Sequence, residues 1–149
     1  LARPIAEAID VAQHLRAHIG LNERQSTALD TYRKGLIESK TPPARVDSLI
    51  EAYGARLLKQ RAETISRTEL MSAANNGQQI LWEQAHKDGM LGPRPMKQWL
   101  VTDDERACPI CLALDGEIVD LGSEFHGSFG SVLVPPAHAA CRCTLVLAQ

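Results

Sequence analysis

Four cysteines confined to the last third of the chain constrain this fold more than any other feature. "CPIC" places Cys108 and Cys111 with two residues between them, and "PPAHAACRC", some thirty residues later, carries His138, Cys141 and Cys143. A metal site, a pair of disulfides, or buried thiols adjacent by chance would each gather these side chains. Zinc takes four thiolate or imidazole ligands in tetrahedral array, and structural sites take them as two close pairs. Cys108 and Cys111 have that spacing. His138 and Cys141 repeat it, and Cys143 is a fifth candidate. On a strand Cys141 and Cys143 would share a face, so either completes the set. The second pair departs from a standard finger spacing, and five candidates exceed four places. Nothing in the sequence indicates secretion, which disfavours disulfides. A redox CxxC would want a βαβ context that is absent. The expectation is a structural zinc. His14, His18, His86 and His126 lack such company and read as surface or loop residues.

A metal would matter to a chain of this make-up. Its 149 residues suit one domain with a hydrophobic core, but aromatics are only 4%, so that core rests on Leu, Ile, Val and Ala. The formal net charge of -2 offers no general attraction for nucleic acid, although it does not preclude a local basic patch. No apolar run reaches the length of a membrane span and no signal peptide is visible. The chain begins at Leu1 rather than Met, which leaves room for a longer parent.

The first two thirds read as helices. "RPIAEAIDVAQHLRAHIG" sets Ile5, Ile9, Ala12, Leu15 and Ile19 on one stripe, with Pro4 in the first turn and Gly20 past the end. "NERQ" fits a capping box, Asn22 capping and Gln25 reaching back. It opens a helix whose apolar face uses Ala28, Leu29, Tyr32 and Leu36. After Thr41 as cap and Pro42 as first residue, Val46, Leu49, Ile50, Tyr53, Leu57, Ala62 and Ile65 hold helical register. "NNG" at Asn75–Gly77 is a breaker signal, and "HKDGMLGPRP" ends the run.

Beyond residue 95 the texture changes. "KQWLVTDD", with alternation around Trp99 and Val101, "GEIVDLG" and "CRCTLVLA" read as three short strands of a small antiparallel sheet. The Gly- and Ser-rich "SEFHGSFGSVLVPP" reads as an exposed loop. Helices first and strands last give an α+β fold: one domain over 1–149, mainly helical over 1–95, with the Cys/His-bearing β part over 96–149.

These blocks also carry a resemblance. "RAETISRTELMSAANNGQ", "KQWLVTDDERACPICLALDGEIV" and "VPPAHAACRCTLV" resemble, in order, the signature blocks of the Mu F-like phage head morphogenesis family. The matching residues are Arg67, Thr68 and Glu69; Trp99; Asp104, Arg106, Cys108, Pro109 and Cys111; Leu114, Asp115 and Gly116; and Pro135, Pro136, His138, Cys141, Arg142 and Cys143. The likeness runs from about Arg61 to the C-terminus, and "IGLNERQSTALDTYRKGL" resembles the family's upstream region less distinctively. It implies a minor head protein of a tailed phage, joining the virion in few copies near the portal and made in the host cytoplasm. It would assist head assembly or genome delivery, with portal and major capsid protein as partners and packaged DNA as a further contact. Some members carry an extra C-terminal toxin or enzyme domain; this chain stops just after its last expected strand.

The residues themselves point away from catalysis. No nucleophile–base pair, phosphate-binding glycine loop or carboxylate pair stands out, and Asp103, Asp104 and Glu105 read as a solvated turn. The competing functional readings are a zinc-stabilised nucleic-acid module and, more weakly, a hydrolase with an open zinc and Glu117 or Asp115 as base. Arg56, Lys59, Arg61 and Arg67 share one helical region, but Glu51, Glu63 and Glu69 lie among them. Arg67, Thr68 and Glu69 fan out about 100° apart on a helix and cannot form a triplet on one face. A brace from helix to sheet is the alternative, with Arg142 or Arg106 meeting Glu69, and Arg67 meeting Asp104 or Asp115. A solvated face is the plainer possibility.

Overall fold

The computed structural model describes residues 17–148. The helix expected over residues 4–19 therefore lies mostly outside the described residues. Its end is visible: Ala17 and His18 are helical, and Gly20 turns the chain at φ 79°. Two helices follow, α1 (Glu23–Glu38) and the 45-residue α2 (Pro43–Lys87). Then come β1 (Met96–Leu100), the single turn α3 (Pro109–Leu112), β2 (Ile118–Asp120), β3 (Phe125–Gly127), β4 (Gly130–Val132) and β5 (Thr144–Ala148). The α+β reading holds, long helices preceding small antiparallel sheets.

The chain forms two compact units, Leu1–Glu63 and Thr64–Gln149, divided within α2. In the first unit the capping box forms as expected: Asn22 accepts from the Gln25 backbone N–H at 2.9 Å, and the Asn22 N–H donates to Gln25 Oε1 at 3.3 Å. Leu29 from α1 packs with Val46, Ile50 and Leu57 from α2, and Tyr32 meets Tyr53 edge-on at 4.9 Å. The start of α2 differs from expectation by one residue. The Thr41 hydroxyl is paired with Ser39, and the Pro42 carbonyl accepts the first helical bonds, from Arg45 and Val46.

In the second unit, β1 is the middle strand of a three-stranded antiparallel sheet in the order β2-β1-β5, with Trp99 opposite Leu145 and Gln98 opposite Ile118. Its core gathers Trp99, Val101, Leu114, Phe125, Val134 and Leu145 around the buried cysteines. Two expectations fail here. Asn75–Gly77 does not interrupt α2. Asn75 is buried, and its side-chain amide donates to Met71 O within the helix and to Cys143 O across it, while Thr144 donates back to Asn75 Oδ1. Tertiary partners outweigh a weak helix propensity. The supposed exposed loop contains the β3–β4 hairpin, with Gly130 at φ 105° in its turn. Phe125, fully buried, meets Trp99 edge-on at 5.2 Å.

The apolar stripe of α2 also stops earlier than its register implies, since Ala62 is exposed and Ile65 is 48% exposed. From Thr64 onward the fully buried positions of α2, Asn75 and Gln79, are polar, and Trp82 packs partly buried against the core. Gln78 Nε2 donates to Leu145 O, and Gln79 Nε2 donates to Leu121 O. Lys97 on β1 is wholly buried, its ammonium donating to Leu133 O at 2.9 Å and Gln79 Oε1 at 3.3 Å and lying 5.5 Å from the Phe125 ring centre.

Candidate metal centre

The site is built from two connections that the sheet brings together. After β1, Asp115 Oδ1 accepts the Val101 N–H, and the chain turns through Asp104 into α3. Cys108 caps that turn: its sulfur accepts the Cys111 N–H at 3.4 Å, which draws both sulfurs to one side. From the other direction the segment before β5 presents His138, Cys141 and Cys143. The two cysteines precede the strand rather than lying on it, and both are buried while Arg142 between them points outward.

All five expected ligands converge. His138 Nε2 lies 3.0 Å from Cys108 Sγ and 3.1 Å from Cys111 Sγ, and Cys111 Sγ lies 3.7 Å from Cys141 Sγ. They form two overlapping three-ligand groups, Cys108–Cys111–His138 and Cys111–Cys141–Cys143, with donor atoms in each within 4.8 Å of one another. Cys111 belongs to both. A cavity of about 30 Å³ opens between them.

The donor set fits a soft divalent ion. The His138 Nδ1 partner is the Ala139 carbonyl at 2.9 Å, which can only accept; Nδ1 therefore carries the proton and Nε2 offers its lone pair to the sulfurs. The Cys111–Cys141 separation matches the edge of a tetrahedron with metal–sulfur bonds of roughly 2.3 Å, about 3.8 Å. The thiols also need a cation to ionise together. Cys141 is held down to about 5, first by a hydrogen bond from the Cys143 thiol, and Cys143 is pushed up in return by that bond and by burial. Burial, then the Cys108 side chain, raises Cys111 to about 12. The buried Trp99 indole N–H has no hydrogen-bond partner, and its dipole beside Cys143 favours the ionised form of that thiol.

The surrounding residues lock the ligand loops. Arg142 makes a bidentate pair with Asp104, at 2.5 and 2.6 Å, and its carbonyl accepts from Thr102 Oγ1. Asp104 is held well below the usual carboxylate range, first by Arg142 and then by the Arg106 N–H. It is thus an anchor within the turn before "CPIC". The brace expected of Glu69 does not form as drawn: Arg142 goes to Asp104, Arg106 lies near the same carboxylate, and Arg67 and Glu69 are exposed. Thr68 between them makes the connection, accepting the Ala140 N–H at 2.9 Å where the backbone turns at φ 59° between two ligands. Glu69→Ala is therefore expected to cost well under about 1 kcal/mol. Thr68→Val should cost about 1 kcal/mol for the lost bond. Chemical denaturation of the two variants reads the difference.

Sequence reasoning missed Asn75, Gln78, Gln79 and Lys97. Lys97 was legible, since it lies two residues before Trp99 and four before Val101 on the buried face of an alternating strand. The Asn and Gln positions offered no such signal. Of the basic side chains on α2, Arg56 lies 4.9 Å over the Tyr53 ring rather than joining a basic track.

A family model described as Phage Mu protein F like protein matches residues 10–146, nearly the whole chain. The chain belongs to that family. Membership in the Mu F-like family makes phage head morphogenesis its general setting, with the virion and capsid-related partners as the context. Neither the curated proteins nor the solved structures yield a match. Among the described residues no helix is long and apolar enough to cross a membrane.

Proposed function

We propose that this Mu F-like chain is a minor head protein acting near the portal vertex in head assembly or genome delivery, and that one zinc ion holds its C-terminal unit together. It is a structural component rather than an enzyme. The family match over residues 10–146 carries the reading. The convergence of Cys108, Cys111, His138, Cys141 and Cys143 supports the metal part. Five protein donors are more than enough for four coordination places, so no position is left for an activated water. When bound, zinc supplies folding free energy to a unit poor in aromatic core. The chain's own residues fix the ligands: Ala139 sets the histidine tautomer, Asp104 clamps Arg142 between two cysteines, and Thr68 fixes the turn at Ala140.

Portal and major capsid protein are the partners of this reading. A tagged chain expressed during phage induction should capture one or both, and should appear in purified heads. Recovery only as a free species that turns over a substrate would defeat the proposal. Elemental analysis of the untagged protein should find about one zinc per chain. Absence of metal, with two disulfides by mass spectrometry, would defeat the metal part alone.

A further inference from the structure

The second half of α2 has two unlike faces. Thr68, Asn75, Gln78 and Gln79 point toward the sheet and its connections. On the opposite side of the helix, by its rotation of about 100° per residue, lie Leu70, Ala73, Ala74, Gly77, Ile80 and Leu81, all exposed. Leu70 is 70% exposed, Ile80 65% and Leu81 66%. No charged side chain interrupts the row from Leu70 to Leu81, in a helix otherwise dense with Arg, Lys and Glu.

We infer that this face pairs with the same face of a second copy of the chain, the two helices running antiparallel. Two observations select that occupant. The first is the order of sizes along the row: Leu70, Ala74, Gly77 and Leu81 read large, small, small, large, at spacings of four, three and four residues. That order is unchanged on reversal. A two-fold axis crossing the helix between Asn75 and Asn76 sets Leu70 opposite Leu81 of the second copy, and Ala74 opposite its Gly77. A two-fold contact requires a patch complementary to itself, which an unrelated partner would not demand; Leu70, Ala74, Gly77 and Leu81 meet that requirement, with Ala73 and Ile80 at its margin. The second observation is Gly77. Glycine is unfavourable in an exposed helix interior, and nothing in the chain asks for it here, since a Cβ at this position would meet no atom within 4 Å. Another helix backbone pressed against it does ask for it, because small residues at the centre permit the closest interaxial approach. Ile80 flanks the row and widens the contact. The pairing uses none of the metal ligands, so it stands or falls apart from the zinc.

The experiment is sedimentation of the 149-residue, metal-replete chain over a concentration series. Association toward twice the 16.3 kDa chain mass is expected. Leu70→Lys alone and Leu81→Glu alone should each return the protein to monomer while leaving its circular dichroism unchanged, the positions being exposed. The double variant Leu70→Lys/Leu81→Glu should dimerise again, because antiparallel pairing sets each introduced ammonium against an introduced carboxylate. Gly77→Leu should abolish pairing and Gly77→Ala should weaken it. A wild type that stays monomeric to its solubility limit would overturn the inference, as would a double variant that stays monomeric or single variants that still dimerise.

Discussion

Cys111→Ser is expected to lower metal affinity by far more than 100-fold and to unfold most of the second unit. Loss of a residue that merely supports a ligand already costs about 10–100-fold, and Cys111 is the one side chain common to both three-ligand groups. Structural zinc contributes an apparent 10–16 kcal/mol to folding in small metal-bound units, as much as the whole stability of a typical domain, about 5–15 kcal/mol. The damage should not stop at the sheet. Ala140 and Cys143 lie among the ligands and are bonded to Thr68 and Asn75 of α2, so the latter half of that helix should loosen with them. The core of Leu29, Val46, Ile50 and Leu57 has its own packing and should persist. Hydrogen exchange with and without chelator would show it: protection lost from about Thr68 to the C-terminus and retained in α1. Uniform loss would mean that the two units fold as one, and no loss would mean that the metal is dispensable.

Lys97 should give the chain a rise in stability between about pH 8 and 10.5. Burial lowers its pKa from 10.5 to about 8, against the opposing pull of Glu83 and Glu124. Through that window the native chain has released a proton that the unfolded chain still holds, so raising the pH favours the native state. Below pH 8 both forms are charged and the native state bears the full cost of a buried ammonium. The difference of about 2.5 pH units caps the effect at about 3 kcal/mol, reduced by whatever solvent screening reaches the two glutamates. Lys97→Met should abolish the rise. Denaturant titrations of both proteins at two pH values spanning the window, compared by subtraction, cancel the other titrating groups. Parallel pH profiles for the two proteins would refute it. Lys97→Ala should be worse at neutral pH, by about 3 kcal/mol, because it also leaves a cavity and an unpaired Leu133 carbonyl.

Much of the site was legible because its chemistry is local in sequence. Cys108, Cys111, His138 and Cys141 stand out as close pairs of soft side chains, and the Asn22–Gln25 box, the Val46–Ile50–Leu57 stripe and the three pairing strands follow from short-range periodicity. What escaped was long-range. Asn75 looks like a breaker until Cys143, 68 residues away, supplies the partner for its amide. Phe125 sits in a stretch whose glycines and serines advertise a loop, and only Trp99 reveals that it belongs to the core. Arg142 points away from the cysteines, and its choice of Asp104 over Glu69 depends on a turn geometry that spacing does not encode.

The side-chain amides that α2 lays along β5 have one more consequence. β5 is a border strand, and Cys143 and Leu145, two residues apart, direct their carbonyls the same way, where Asn75 and Gln78 accept the role of a neighbouring strand. Bare strand borders recruit other chains, and proteins guard against it by covering them. Here the guard is a helix whose hold depends on the ligand loops. On the proposed zinc reading, a chain stripped of metal should therefore not only loosen but clump, through β5 borders left open to one another.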